Sequence, residues 1–420
     1  MGYDAFVKNL FRTVGRKYIG LVSEHVTMGI SEDSTYSKKD RLAVLSYTGI
    51  AKCFVTSAAK RLKATNGKDL PSEETVLDSI RFVKSNEIFE GMKKANNEII
   101  KNAVENKEFN YDVVAAMDVH DVSRYTKVGF DGSCRKRKCN DIKTVVGTKP
   151  KNGTCYAHKY MTIQNLKMDK EMPSYVLAFD RVLPLTDNTK IAETLIDEAE
   201  SKINRPISLI LGDGGFDDVD TMKMFFRKRK DFVVRADQDE KVKRVILEKT
   251  KKPDYHVEFD YVKGNKYNSV TVNLVIAKVK WLKKNGIKYP LVKNQDRCLA
   301  FFTNLRPREN ETLGDFCLRI ARLYKKRWGI ETGYRDIKDF EGKTHSLVDS
   351  VRLFLYIQAI LLYNIWVQIN FMYKDDPDRI KYFKDGITKD FVRFIIEQAI
   401  IKNVSQEEKS SHEKYEGPPL

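Results

Sequence analysis

Two apolar runs of strand length, Tyr111-Asp112-Val113-Val114-Ala115-Ala116-Met117 and Ile207-Ser208-Leu209-Ile210-Leu211-Gly212, each stop on an aspartate: Asp118 and Asp213. Runs of that length without a regular polar alternation read as strands buried on both faces. Such strands need helices over the sheet, and the chain is therefore expected to be α/β, a mixed sheet flanked by helices. The aspartates then stand where buried strands end rather than inside a core. Asp121 follows closely, but the longer buried run ends at Asp118, which is preferred. Glycines after the second aspartate, in LGDGGF, let the chain turn closely and let a substrate backbone approach.

Other segments extend the same pattern. Strands are expected over Cys155–Asn165, Ser174–Val182 and Asp231–Ala236, and helices over Lys190–Ile203 and Asp218–Arg229. Between Asp237 and Arg297 the sequence turns lysine-rich with alternating strands, His256–Val262 and Ser269–Trp281, and reads as a separate β-rich insertion. Cys298–Asn304 returns as a core strand and Thr312–Lys326 as a helix. Residues 1–108 read as helical, with apolar residues at three and four residue spacings through Ala5–Ile19, Arg41–Leu62, Glu73–Val83 and Asn86–Val104. Ser72 is placed to cap the third of these, with Glu73 and Glu74 in the first turn. This N-terminal part is either a DNA-binding helical unit or a plain packing domain. The expected layout is 1–108 helical, 109–236 first part of the core, 237–297 insertion, 298–373 second part of the core, and 374–420 a helical segment with a disordered tail.

Seventy-five Lys and Arg against 58 Asp and Glu leave +17, and the excess is uneven. Residues 125–170 hold eleven Lys/Arg and three Asp, the footprint of a surface that meets polyanions. Six cysteines without a paired framework suit a reducing cytosol, and MGYDAFVKNL lacks the basic and apolar regions of a signal peptide. Leu353–Tyr373 is uncharged for the length of a bilayer span. It carries Gln358, Asn364, Gln368 and Asn370, and is expected to be a buried helix packed on a sheet, with no membrane involved. Cys134, Cys139, Cys155 and His158 have the residue types of a zinc site.

The stretch Leu323–Asp339, LYKKRWGIETGYRDIKD, carries the remaining chemistry. As one helix over Ile320–Lys338, it places Arg327, Glu331 and Lys338 at roughly 300°, 340° and 320° from Tyr324, at about 100° per residue. All four share a face, while Ile330, Tyr334 and Ile337 lie mostly away from it and anchor the helix. A carboxylate flanked by two cations and a phenol suits holding a divalent metal against a phosphate. Joined with two strand-end aspartates, it supplies the hard oxygen ligands of a two-metal phosphodiester site, close in space though distant in sequence.

The order strand–Asp118, strand–Asp213-Gly-Gly-Phe216, insertion, then Tyr324-x2-Arg327-x3-Glu331-x6-Lys338 resembles the DDE transposases of insertion sequences. The branch is the insertion sequence four type, defined by that Tyr, Arg, Glu, Lys signature, and the resemblance spans roughly residues 110–372. It implies an RNase H-like core interrupted by the insertion. It also implies two Mg²⁺ or Mn²⁺ held by Asp118, Asp213 and Glu331, with Tyr324, Arg327 and Lys338 on the DNA phosphates. Gly214 departs from the family, where Arg is frequent. The implied partners are double-stranded DNA, as terminal inverted repeats and as target, and a second copy in a synaptic dimer. The implied setting is the cytoplasm, at the nucleoid. The implied reaction is hydrolysis at element ends followed by strand transfer in cut-and-paste transposition. A non-catalytic DNA-binding protein and another RNase H-like nuclease are the alternatives.

Overall fold

The computed structural model describes residues 20–66, 69–124, 145–151, 153–169, 172–289, 297–346, 348–383, 386–398 and 400. They divide into two compact units, a helical one built from 20–108 and 334–400 and a sheet unit built from 109–124 and 145–333. The helix expected over Ala5–Ile19, most of the basic stretch with Cys134 and Cys139, and the tail after 400 lie outside the described residues.

In the helical unit, α1 (Lys38–Ile50), α2 (Val55–Asn66), α3 (Glu73–Arg81) and α4 (Ser85–Glu105) come first. Short polar caps start two of them. Ser37 accepts from the Asp40 N–H while Asp40 reaches back to the Ser37 N–H, and Ser72 accepts from the Thr75 N–H. Each satisfies amides that a helix start leaves open.

In the sheet unit the strands are β1 (Val113–Ser123), β2 (Val146–Lys151), β3 (Thr154–Asn165), β4 (Val176–Val182), β5 (Ile207–Gly212), β6 (Asp231–Arg235), β7 (Tyr255–Gly264), β8 (Ser269–Lys278) and β9 (Cys298–Thr303). One sheet runs β2-β3-β1-β5-β6-β9-β8-β7, with β4 paired to β3. β1, β5 and β6 are parallel to one another, and the other pairings are antiparallel. Helices α5 (Asn188–Ile203), α6 (Val219–Arg227), α7 (Glu240–Lys249), α8 (Val279–Lys284) and α9 (Leu313–Lys326) connect them. α5 packs on β3 and β4, and α9 on β6, β7 and β8.

Three expectations change here. β1 does not stop at Asp118 but runs on to Ser123; what changes at Asp118 is burial, complete through Met117 and partial afterwards. The 237–297 stretch holds two helices as well as two strands, and β8 pairs with β9, so its strands extend the central sheet instead of standing apart. The strand expected over Ser269–Trp281 ends at Lys278, and Val279 begins α8.

A further pair of helices, α10 (Trp328–Lys338) and α11 (Asp349–Met372), precedes α12 (Pro377–Tyr382). α11 is long and apolar enough to cross a membrane, yet 89% of its most apolar window is buried within the protein. It packs on α1, α3 and α4, so helices, and not the expected sheet, cover it in this unit. Its polar side chains bond inside that packing: Gln358 Nε2 donates to the Leu45 carbonyl at 3.0 Å and Asn364 Nδ2 to Asn96 Oδ1 at 2.7 Å. Buried amide donors paired in this way belong to a protein core.

Candidate active site

Register places the two aspartates. Met117 pairs with Gly212 and Gly212 with Val234 across the parallel strands, so Asp118, Asp213 and Arg235 stand abreast, each one residue further on. Adjacent strands lie about 4.8 Å apart. Asp118 follows the last residue of β1 that pairs with β5, and Asp213 follows the last residue of β5.

Past Asp213 the chain makes a single 3-10 turn, Gly214–Phe216, in which the Gly215 N–H donates to Asp213 Oδ1 at 2.8 Å. A Cβ on Gly214 meets Asp237 Oδ1 at 2.7 Å. Asp237 is exposed and its carboxylate can rotate aside, so this contact does not by itself exclude the arginine that the family resemblance suggests.

The stretch expected as one helix over Ile320–Lys338 is two. α9 ends at Lys326, Arg327 sits between, and α10 begins at Trp328. The Arg327 N–H donates to the Tyr324 carbonyl and the Ile330 N–H to the Arg327 carbonyl, three-residue closures that break the regular ladder, the second of them spanning Gly329. Tyr324 and Arg327 are buried, whereas Glu331 is exposed. Lys338 is the exposed last residue of α10 and belongs to the helical unit.

Arg327 is the hub. Its Nη1 lies 3.6 Å from Asp118 Oδ2, its Nη2 bonds Glu331 Oε1, and its guanidinium stands 5.4 Å from the Tyr324 ring centroid. Burial works against its charge, but Tyr324, Asp118 and Glu331 outweigh that and raise its pKa. Asp118 is pushed up to about 7, by burial first and then by the negative charge of Asp213, with Arg327 pulling the other way and Glu331 adding to the rise. The Val119 N–H donates to its Oδ1 at 2.8 Å. Burial raises the Tyr324 phenol, against Arg327 and Arg235.

The structure therefore brings together Asp118, Asp213, Tyr324, Arg327 and Glu331. Asp121 turns instead toward Lys159, 3.7 Å away. Among the described residues no three His, Cys, Asp or Glu side chains already form a closed ligand group. Of the four zinc candidates, the buried His158 has Nε2 3.3 Å from Arg124 Nη1, and Cys134 and Cys139 lie outside the described residues. Arg235, which acts on Tyr324 and on the buried Tyr289, was not legible as a site residue. The signal lay in its position, one residue past the partner of Gly212 on the third parallel strand.

Comparison with known proteins gives the family. Residues 112–365 match the transposase DDE domain. The chain belongs to the DDE transposase family. No curated protein matches it. Among solved structures, a piggyBac transposase synaptic complex with hairpin DNA, determined by cryo-EM, is similar in fold, with a TM-score of 0.55 at 10% identity over 98% of this chain and 80% of that one.

Proposed function

We propose that this DDE transposase is of the insertion sequence four type. It binds double-stranded DNA at element ends, hydrolyses the phosphodiester there to free a 3′-hydroxyl, and joins that hydroxyl to target DNA. One observation carries the reading: a buried arginine, Arg327, is shared by Asp118 and Glu331, next to the in-register Asp213. The antiparallel strands β4-β3-β1 continuing into parallel β5 and β6 support the RNase H-like core that the signature implies.

A divalent cation fits the acids. Asp118 is raised by burial first and then by the charge of Asp213, both of which a cation offsets, and three carboxylates are hard oxygen ligands suited to Mg²⁺ or Mn²⁺. We assign Asp118, Asp213 and Glu331 to hold two such ions. When bound, they supply an activated oxygen nucleophile and stabilisation of the leaving oxygen. Holding an ion, Glu331 would give up its bond to Arg327, and the Arg327 Nη2 so released could donate to a phosphate oxygen. Tyr324, fixed by its 4.9 Å ring contact with Phe301, is assigned to a further DNA phosphate, and Lys338 is assigned to the DNA backbone as well. Positioning and charge do the work without a covalent protein intermediate. The structural neighbour is a synaptic complex with hairpin DNA; for this chain we propose two copies bridging paired ends, acting on DNA in the cytoplasm.

The test is Asp213→Asn. End cleavage should vanish while DNA binding persists; retained cleavage sinks the assignment.

A further inference from the structure

The turn that carries Asp213 ends at Asp217, whose side chain is almost wholly buried, 2% exposed. Two groups hold that carboxylate. Lys263 Nζ, on β7, lies 2.5 Å from Oδ1, and the Asp237 N–H, just past β6, donates to Oδ2. Lys263 is itself mostly buried, 13% exposed, with Nζ 4.6 Å from the centre of the Phe302 ring. The β7–β8 hairpin that delivers it is tied down nearby. Gly264 turns at φ +105, Lys241 Nζ donates to its carbonyl at 2.9 Å, and Asn268 bonds both Lys223 at 2.7 Å and Asp220 at 3.1 Å on α6.

Removing one partner of a buried pair leaves an uncompensated charge, which is far costlier than losing an exposed pair. Asp217, which burial pushes up to about 6 even with Lys263 beside it, must protonate or shift if Lys263 is lost, and either change alters its hold on the end of the turn. The turn before it has two holds, the buried Phe216 ring and the Asp217 carboxylate at its end; Gly214 and Gly215 add no side chain, and Asp213 accepts its hydrogen bond from inside that turn.

We infer that Lys263 is a positioning residue for the reaction: through its buried pair with Asp217 it fixes the Gly214–Phe216 turn and so holds the Asp213 carboxylate beside Asp118. The inference rests on the metal-binding reading of Asp213. It gives the hairpin of the 237–297 stretch a direct part in the active site, although that hairpin supplies none of the proposed ligands. Changes in groups that orient a metal ligand typically weaken metal affinity by roughly 10–100-fold.

The experiment is a Mn²⁺ titration of the full chain, read by loss of the free-ion EPR signal, with thermal unfolding recorded for each variant. The variants are Lys263→Met, Lys263→Arg, Asp217→Asn and Lys241→Met. Lys263→Met is expected to raise the Mn²⁺ Kd about tenfold or more. Asp217→Asn, which keeps an acceptor for the Asp237 N–H and is the substitute should Lys263→Met unfold, is expected to do the same. Lys263→Arg and Lys241→Met should stay within about threefold of wild type, below the roughly 10–100-fold range. Unchanged Kd in both Lys263→Met and Asp217→Asn, with wild type binding Mn²⁺, overturns this inference alone. A wild-type chain that binds no Mn²⁺ overturns the functional reading as well.

Discussion

Gly333 sits two residues past Glu331, where α10 meets the sheet. A Cβ there falls 2.5 Å from Gln164 Oε1 and 2.7 Å from Nε2, against an ordinary contact of 3.4 Å, so about 0.9 Å must be found. Gln164 cannot easily yield it. It is fully buried on β3, and its Nε2 donates to Ser174 Oγ at 2.9 Å, which in turn donates to the Asn165 carbonyl. Gly333→Ala carries two opposed effects. Alanine inside a helix gains roughly 0.5–1 kcal/mol over glycine. Overpacking a pinned neighbour costs typically 1–3 kcal/mol and shifts backbone. The steric cost wins, and α10 lifts from β3, taking Glu331 with it. A displacement near 1 Å at a reacting group can cost on the order of 100-fold in rate. We expect Gly333→Ala to lose ten- to a hundredfold in Mg²⁺-dependent end cleavage with a net destabilisation of about 1–2 kcal/mol in urea unfolding, DNA binding being retained. Gly329→Ala is the control. Its Cβ meets only the Leu166 Cδ2 methyl, at 3.0 Å, so it should cost less. Wild-type cleavage in Gly333→Ala would refute the argument that this contact sets the position of Glu331.

Arg327→Met removes the cation shared by Asp118 and Glu331; single-turnover cleavage should fall by at least about 100-fold even where the variant remains folded. Asp339 is held at about 2, because its bonds to Lys389 and Lys52 outweigh the rise from burial. A depressed carboxylate contributes stability above its usual pKa and loses it as pH falls through the folded one. Asp339→Asn should therefore destabilise by roughly 1–2 kcal/mol at pH 7, a figure reduced for the third of the side chain that is exposed, and the gap should close between pH 4 and 2. In α11, Asn364→Ala takes the donor from Asn96 and opens a cavity, at a cost of about 2–3 kcal/mol visible in thermal unfolding.

The apolar runs before Asp118 and Asp213 were legible because burial on both faces leaves its mark residue by residue, and the pairing of Met117 with Gly212 uses both. The true end of β1 was not, since residues 118–123 are held by antiparallel partners on β3, a nonlocal choice. Periodicity joined α9 to α10 because Gly329, the glycine beside the break, is a residue that helices tolerate, whereas the break goes with the burial of Tyr324 and Arg327, which is a tertiary choice. The lysine-rich stretch looked detached because its strands alternate as half-exposed ones do, and only β9, which pairs with both β8 and β6, reveals where they dock. Arg235 was invisible for the same reason: what makes it part of the site is its alignment with Asp213 across strands.

The central claim is that acids drawn from β1, β5 and α10 act as one metal-dependent centre on DNA. The direct measurement is cleavage and strand transfer on DNA bearing the sequences that flank the gene, with Mg²⁺ and a target plasmid, for wild type beside Glu331→Gln. The account predicts cutting at the ends and joining to the plasmid by wild type and neither by the variant, with equal DNA binding. Equal cutting by both proteins, or binding with no metal-dependent cutting by either, contradicts it.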